Sequence, residues 1–208
     1  GAHPAIIQLP LGGEEGFQGV IDLIKMKAIV WDEEALGATF QEMEIPADFV
    51  ADAKKYRDQL LEALAERSDA LMEKYLAGKE IPAEEIKTVL REATLQFELV
   101  PVLCGAALRN KGIQSLLDAV VDFLPAPLDI PPVAGFNPKT GELETRRSAD
   151  QEPFAALAFK IMTDEGRRLT YLRVYSGVLR AEQDVYNSTK GKRERIARSF
   201  RMHANKKE

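Results

Sequence analysis

Apolar residues in this 208-residue chain recur first at strand-like and then at helix-like spacing, and the change of period predicts the elements. Short β-type runs at 6–9, 19–24 and 26–31, divided by Gly12, Gly13 and Gly16, predict a small sheet. From 49 to 77, Tyr56, Leu60, Leu64, Leu71 and Tyr75 fall near one stripe. That predicts a long helix, with Asp48 as its N-cap and Gly78 as its C-cap. Pro82, Glu84 and Glu85 open a second helix reaching about Leu95, its acidic first turn favoured by the helix dipole. A buried strand at 99–104 leads through Gly105, Ala106 and Ala107 to a helix opened by Gly112. Ile113, Leu116, Leu117, Val120, Val121 and Leu124 repeat along that helix. Pro125, Pro127, Pro131 and Pro132 then stop it and hold the following dozen residues extended.

Beyond that proline-rich stretch the period is that of strands. A turn at 138–141 precedes strand candidates at 154–161, 169–175, 183–187 and 194–202, and such near-regular short strands predict a barrel or sandwich. The fold class read from the pattern is α+β: a small sheet-and-helix unit, one strand-loop-helix segment, and an antiparallel β region.

Composition changes this picture in three ways. The apolar runs are too short to span a bilayer, and no basic flank with an apolar signal core opens the sequence, so a cytoplasmic protein is expected. A single cysteine, Cys104, excludes an intrachain disulfide and a cysteine zinc cluster, and its place at the end of an apolar strand marks it as a small core residue. His3 and His203 stand apart in sequence and support neither a metal nor an acid-base site. The net charge of −5 hides an asymmetry: the first half is acidic, whereas Lys190, Lys192, Arg193, Arg195, Arg198, Arg201, Lys206 and Lys207 crowd the last twenty residues against Glu194 and Glu208. That basic stretch alternates with Ile196, Phe200 and Met202, as a strand with one packed and one phosphate-facing side would. Asp58, Glu62 and Glu66, four residues apart, place three carboxylates along one helix face, with Lys54, Lys55 and Arg57 nearby.

The small residues Gly105, Ala106 and Ala107 let another molecule approach the loop backbone closely. The stretch VPVLCGAALRNKGIQSLLDAVVDFLPAPLDIPP, 100–132, closely resembles the end of the nucleotide-binding domain of bacterial elongation factor G. PAIIQLPLGGEEGFQGVIDLIKMKAIVW and EIPADFV resemble that family's insertion subdomain. LAFKI, LRVYSGVL and TKGKRERIARSFRMHAN resemble its following β-barrel domain. The resemblance implies an insertion subdomain at 1–97, the closing strand and helix of a P-loop GTPase domain at 98–125, and a linker with the first part of an antiparallel β-barrel at 126–208. It implies a parent protein that binds GTP or GDP with Mg and hydrolyses GTP to drive ribosomal translocation. Gly105, Ala106 and Ala107 would be the remnant of the guanine loop, with the Ala107 amide presented to the base. Asp58, Glu62 and Glu66 would meet the ribosomal stalk protein, and the basic residues 190–201 ribosomal RNA.

Two departures stand out. Ala106 replaces the family's usual serine, keeping a backbone donor but losing a hydroxyl, and the loop within 162–177 is slightly short. The phosphate-cradling pattern G-x-x-x-x-G-K-[ST] is absent, and Asn110-Lys111-Gly112 lacks the aspartate of an Asn-Lys-x-Asp motif, reading instead as a polar turn before a helix. Without the phosphate loop the segment alone is expected to be inactive. The alternative reading is a noncatalytic ribosome- or RNA-binding module with no nucleotide role.

Overall fold

The computed structural model describes residues 1–32, 37–164, 166–203 and 206–207. It is a mixed α+β structure that divides into two compact units, 1–125 and 126–208.

In the first unit the predicted run at 6–9 is two strands, β1 (Pro4–Ile6) and β2 (Gln8–Leu11), broken at Ile7. β2 continues through β3 (Gly19–Asp22), β4 (Lys27–Trp31) and β5 (Phe40–Met43) into a four-stranded antiparallel sheet in sequence order. The turn between β3 and β4 is set by Asp22, whose carboxylate accepts the amides of Ile24 and Lys25 at 2.7 and 2.9 Å. β5 has no apolar alternation and all four of its residues are exposed, which is why the hydrophobic pattern misses it.

The expected single helix at 49–77 is two helices, α1 (Ala47–Ala65) and α2 (Asp69–Leu76). The break is chemical: the Ser68 hydroxyl accepts the Leu71 amide at 3.4 Å, capping a new N-terminus. Asp48 sits in the first turn of α1 rather than at its cap, which is Pro46. Gly78 does end α2, at φ +63°, with the amides of Gly78 and Lys79 bonding the carbonyls of Tyr75 and Lys74 in a Schellman arrangement. α3 (Ala83–Leu95) follows, with Glu84 and Glu85 in its first turn as expected.

β6 (Val100–Val102) pairs in parallel with β1, Pro4 opposite Val100 and Ile6 opposite Val102. α4 (Ile113–Phe123) closes the unit against α3, where Lys87 and Asp122 form an ion pair at 2.9 Å and Arg91 donates to the Asp122 carbonyl at 2.7 Å. The core joins Ile21 of the sheet and Leu23, just past β3, to Leu60, Leu64, Leu71, Ile86 and Leu90 of the helices. Arg57 on α1 points inward, donating to the carbonyls of Leu23, Ile24 and Ile81 and so tying the helix to two loops. Of the apolar residues of α4, Ala119 and Phe123 are buried, while Leu116, Leu117, Val120, Val121 and Leu124 are exposed. The helix is apolar on more than one side, and α3 covers only one of them.

The second unit is built of antiparallel pairs: β7 (Val133–Phe136) with β8 (Leu143–Arg146), β9 (Ala155–Asp164) with β10 (Arg167–Ser176), β11 (Asp184–Asn187) with β12 (Lys192–Arg195), and β13 (Met202–His203) with β14 (Lys206–Lys207). The turn expected at 138–141 is present, Asn137 accepting the amides of Lys139 and Thr140 through its side chain. The strands expected at 154–161 and 169–175 are β9 and β10, and the shortened loop between them closes as a hairpin with Arg167 opposite Asp164 and Glu165 outside the described residues. One expectation fails: the strand at 194–202 is not continuous, since β12 ends at Arg195 and 197–201 carry no strand pairing. Among the described residues the pairs form no closed barrel.

Candidate functional site

The chain leaves β6 at Val102 and turns at Gly105 into the loop that the sequence singled out. Ala106 and Lys111 exchange both backbone hydrogen bonds, Ala106 N–H to the Lys111 carbonyl at 2.9 Å and the reverse at 3.2 Å. They pinch off Ala107–Arg109, a single 3₁₀ turn, and Asn110, which is left-handed at φ +55°. Ala107 is exposed and opens the 3₁₀ turn, where leading amides lack a partner within the turn itself. Small residues are needed here. A Cβ on Gly105 would lie 2.8 Å from the Lys111 carbonyl oxygen, and one on Gly112, at φ +87°, 3.0 Å from that of Cys104. An open concavity of about 330 Å³ lies against the loop, lined by Glu14, Phe17, Ala106, Ala107, Leu108 and Arg109. Gly105 and Ala107 are thus exposed on either side of a half-buried Ala106, whose backbone groups are both engaged by Lys111.

Cys104, just before the loop, packs against the cluster of Val20, Ile29 and Trp31. Burial pushes its thiol up to about 11 from 9.0, because the thiolate would lose solvation. Only the thiolate alkylates, so the native chain at pH 8 is expected to react with iodoacetamide about 100-fold more slowly than the urea-unfolded chain. Its rate should still be climbing at pH 10, where the unfolded rate has levelled. Equal rates in the two states would contradict the burial.

The three carboxylates do share one exposed side, but not one helix: Asp58 and Glu62 lie on α1, and Glu66 is its C-cap. Two of them are already engaged, Asp58 accepting the Tyr75 hydroxyl at 3.1 Å and Glu66 pairing with Arg67 at 3.4 Å. The Asp58 bond foremost holds the Tyr75 phenol above its usual range. Arg57, read as a solvated neighbour, belongs to the interior.

Lys190, Lys192, Arg193, Arg195, Arg198 and Arg201 are all exposed. On β12, Arg193 and Arg195 face the side of Tyr186 and Asp184, while Lys192 and Glu194 face that of Asn187 and Val185, so the charge straddles both faces of the hairpin rather than one. Glu194 accepts from Asn187 at 3.2 Å, which with nearby Lys190 holds its carboxyl below the usual range. Arg198 and Arg201 lie beyond β12, in the unpaired stretch; Glu208 lies outside the described residues.

Sequence reasoning missed the groups that hold the loop. Asn110 fits a polar turn, but Lys111 is only 3% exposed and donates from Nζ to the Phe17 carbonyl at 3.0 Å. The Trp31 indole donates to the Gln114 side chain, which donates in turn to the Gly37 carbonyl, each at 2.9 Å. These contacts join residues 77 to 94 positions apart, and no local pattern announces them.

No family model matches the sequence. A solved structure of a protein from Thermus thermophilus superposes with a TM-score of 0.71 at 24% identity, over 98% of this chain and 27% of that one. The likeness is one of fold. This chain therefore spans about a quarter of the length of the Thermus protein. Among the described residues no helix is long and apolar enough to cross a membrane, and no three His, Cys, Asp or Glu side chains cluster as a metal site.

Proposed function

We propose that this chain is part of a translational GTPase of the elongation factor G type: the insertion subdomain, the closing strand and helix of the nucleotide-binding domain, and the start of a β-barrel. The observation that carries the reading is the loop at 105–111. It follows a parallel strand, precedes a helix, and offers exposed backbone at the strand's carboxyl end, where open α/β sheets receive ligands. On this reading the Ala107 amide donates to a guanine oxygen, and Ala106, without a hydroxyl, leaves the bracing of the loop to other groups. The phosphates and Mg of GTP would be held by residues outside this sequence, which has no phosphate-cradling motif. The parent would act in the cytoplasm on the ribosome, Asp58, Glu62 and Glu66 facing a basic stalk protein and the 190–201 cations facing ribosomal RNA.

The coding sequence upstream of Gly1 tests the proposal directly. A G-x-x-x-x-G-K-[ST] segment followed by Asn-Lys-x-Asp is expected there. Their absence from the gene would overturn the GTPase reading and leave a ribosome- or RNA-binding module.

A further inference from the structure

Lysine is almost never fully buried unless its ammonium is paired. Lys111 is buried, and its Nζ donates to the Phe17 carbonyl at 3.0 Å. Phe17 follows the 3₁₀ turn Glu14–Gly16 that joins β2 to β3, so this one side chain ties the 105–111 loop to the small sheet. A second tie runs from the β4–β5 connection, at the same end of the sheet. Gln114 links Trp31 to the Gly37 carbonyl, and Gly37 sits so close to the loop that a Cβ on it would lie 2.9 Å from both the Arg109 carbonyl oxygen and the Asn110 Cβ. The turn that carries Ala107 is therefore held by two connections at one end of the β2–β5 sheet.

A methionine of similar length would cost less to bury than an ammonium, so stability alone does not explain the cation. What the cation adds is direction: a charged donor aimed at a carbonyl fixes the backbone that carries it. We propose that Lys111 is a positioning residue that, through the Phe17 carbonyl, sets the orientation of the 106–110 turn and hence of the Ala107 amide. This rests on the guanine-loop reading for its purpose, though not for its geometry. The small sheet and the loop then move as one body, and a partner that displaces the sheet displaces the amide.

Amide hydrogen exchange of the 208-residue chain tests this with Lys111→Met and Lys111→Arg. In Lys111→Met the amides of Ala106, Arg109, Asn110 and Lys111, each bonded within the turn, should exchange at least about 10-fold faster. Those of Val89 and Leu90 in α3 should be unchanged. Lys111→Arg, which can still donate to Phe17, should stay within about 3-fold of the natural chain. Unchanged exchange in Lys111→Met overturns the role of Lys111. Faster exchange leaves that role standing whatever the upstream coding sequence holds, and a gene without the phosphate-loop and Asn-Lys-x-Asp segments overturns the guanine reading alone. If Lys111→Met does not fold, Lys111→Gln, too short to reach the Phe17 carbonyl in the same way, takes its place, and unaltered exchange at Arg109 and Asn110 then overturns the proposal.

Discussion

Gly19→Ala is expected to destabilise the first unit by about 3 kcal/mol or more, the upper end of what overpacking costs. Gly19 lies in the central strand pair, opposite Leu11 on one side and Val30 on the other. A Cβ there would sit 2.0 Å from the Ile29 carbonyl oxygen, 3.0 Å from its carbon and 3.1 Å from the Val30 Cα. All three are backbone atoms of β4, so no side-chain rotation relieves the overlap and the two strands must separate. Trp31, the single tryptophan, is buried at the end of β4, so its fluorescence reports the unfolding of this sheet directly. Gly13→Ala is the matched control: nothing lies within 4 Å of its added methyl, and its midpoint should move by less than about 0.5 kcal/mol equivalent. If the two substitutions cost the same, the close approach of β3 and β4 at Gly19 would be wrong.

Leu64→Ala should cost about 3 kcal/mol, within the usual range of roughly 2–5 kcal/mol for a large aliphatic side chain removed from a core. Leu64 is fully buried on α1, in the cluster where Ile21 and Leu23 meet side chains of all four helices of the unit. Its surroundings come from several elements, and a void there cannot close by moving one of them. With a urea slope of about 1.5 kcal/mol per molar, the midpoint should fall by about 2 M. Glu62→Ala, two residues away and exposed, should leave it nearly unchanged. A loss below about 1 kcal/mol for Leu64→Ala would mean that α1 does not pack on the sheet as described.

What could be read from the sequence was whatever repeats or breaks locally. Leu60, Leu64 and Leu71 were legible as core because they recur on one stripe, and Gly78 as a helix stop because only a left-handed residue completes that cap. The interruption at Ser68 was hidden by the same stripe, which runs through the break with Leu71 on its far side. Within the site, Gly105 to Ala107 were visible as a run of small residues. Lys111 was not, because a lysine beside asparagine and glycine has the composition of a solvated turn, and its bond to the Phe17 carbonyl comes from 94 positions away. The basic cluster was legible as charge but not as geometry. Which side of a hairpin each cation takes depends on a register, Arg193 opposite Tyr186, that composition does not contain.

The parallel pairing of β1 with β6 also has a consequence in time. Pro4 meets Val100 only after everything between them has been synthesised, whereas β2, β3 and β4 can zip together as soon as each leaves the ribosome. Closing so long a loop costs about 2 kcal/mol more entropy than closing a hairpin, a modest amount that must be met before the contact returns anything. The nascent chain accordingly holds β1 without β6 until α1, α2 and α3 have been made, and the 105–111 loop takes its shape only after them.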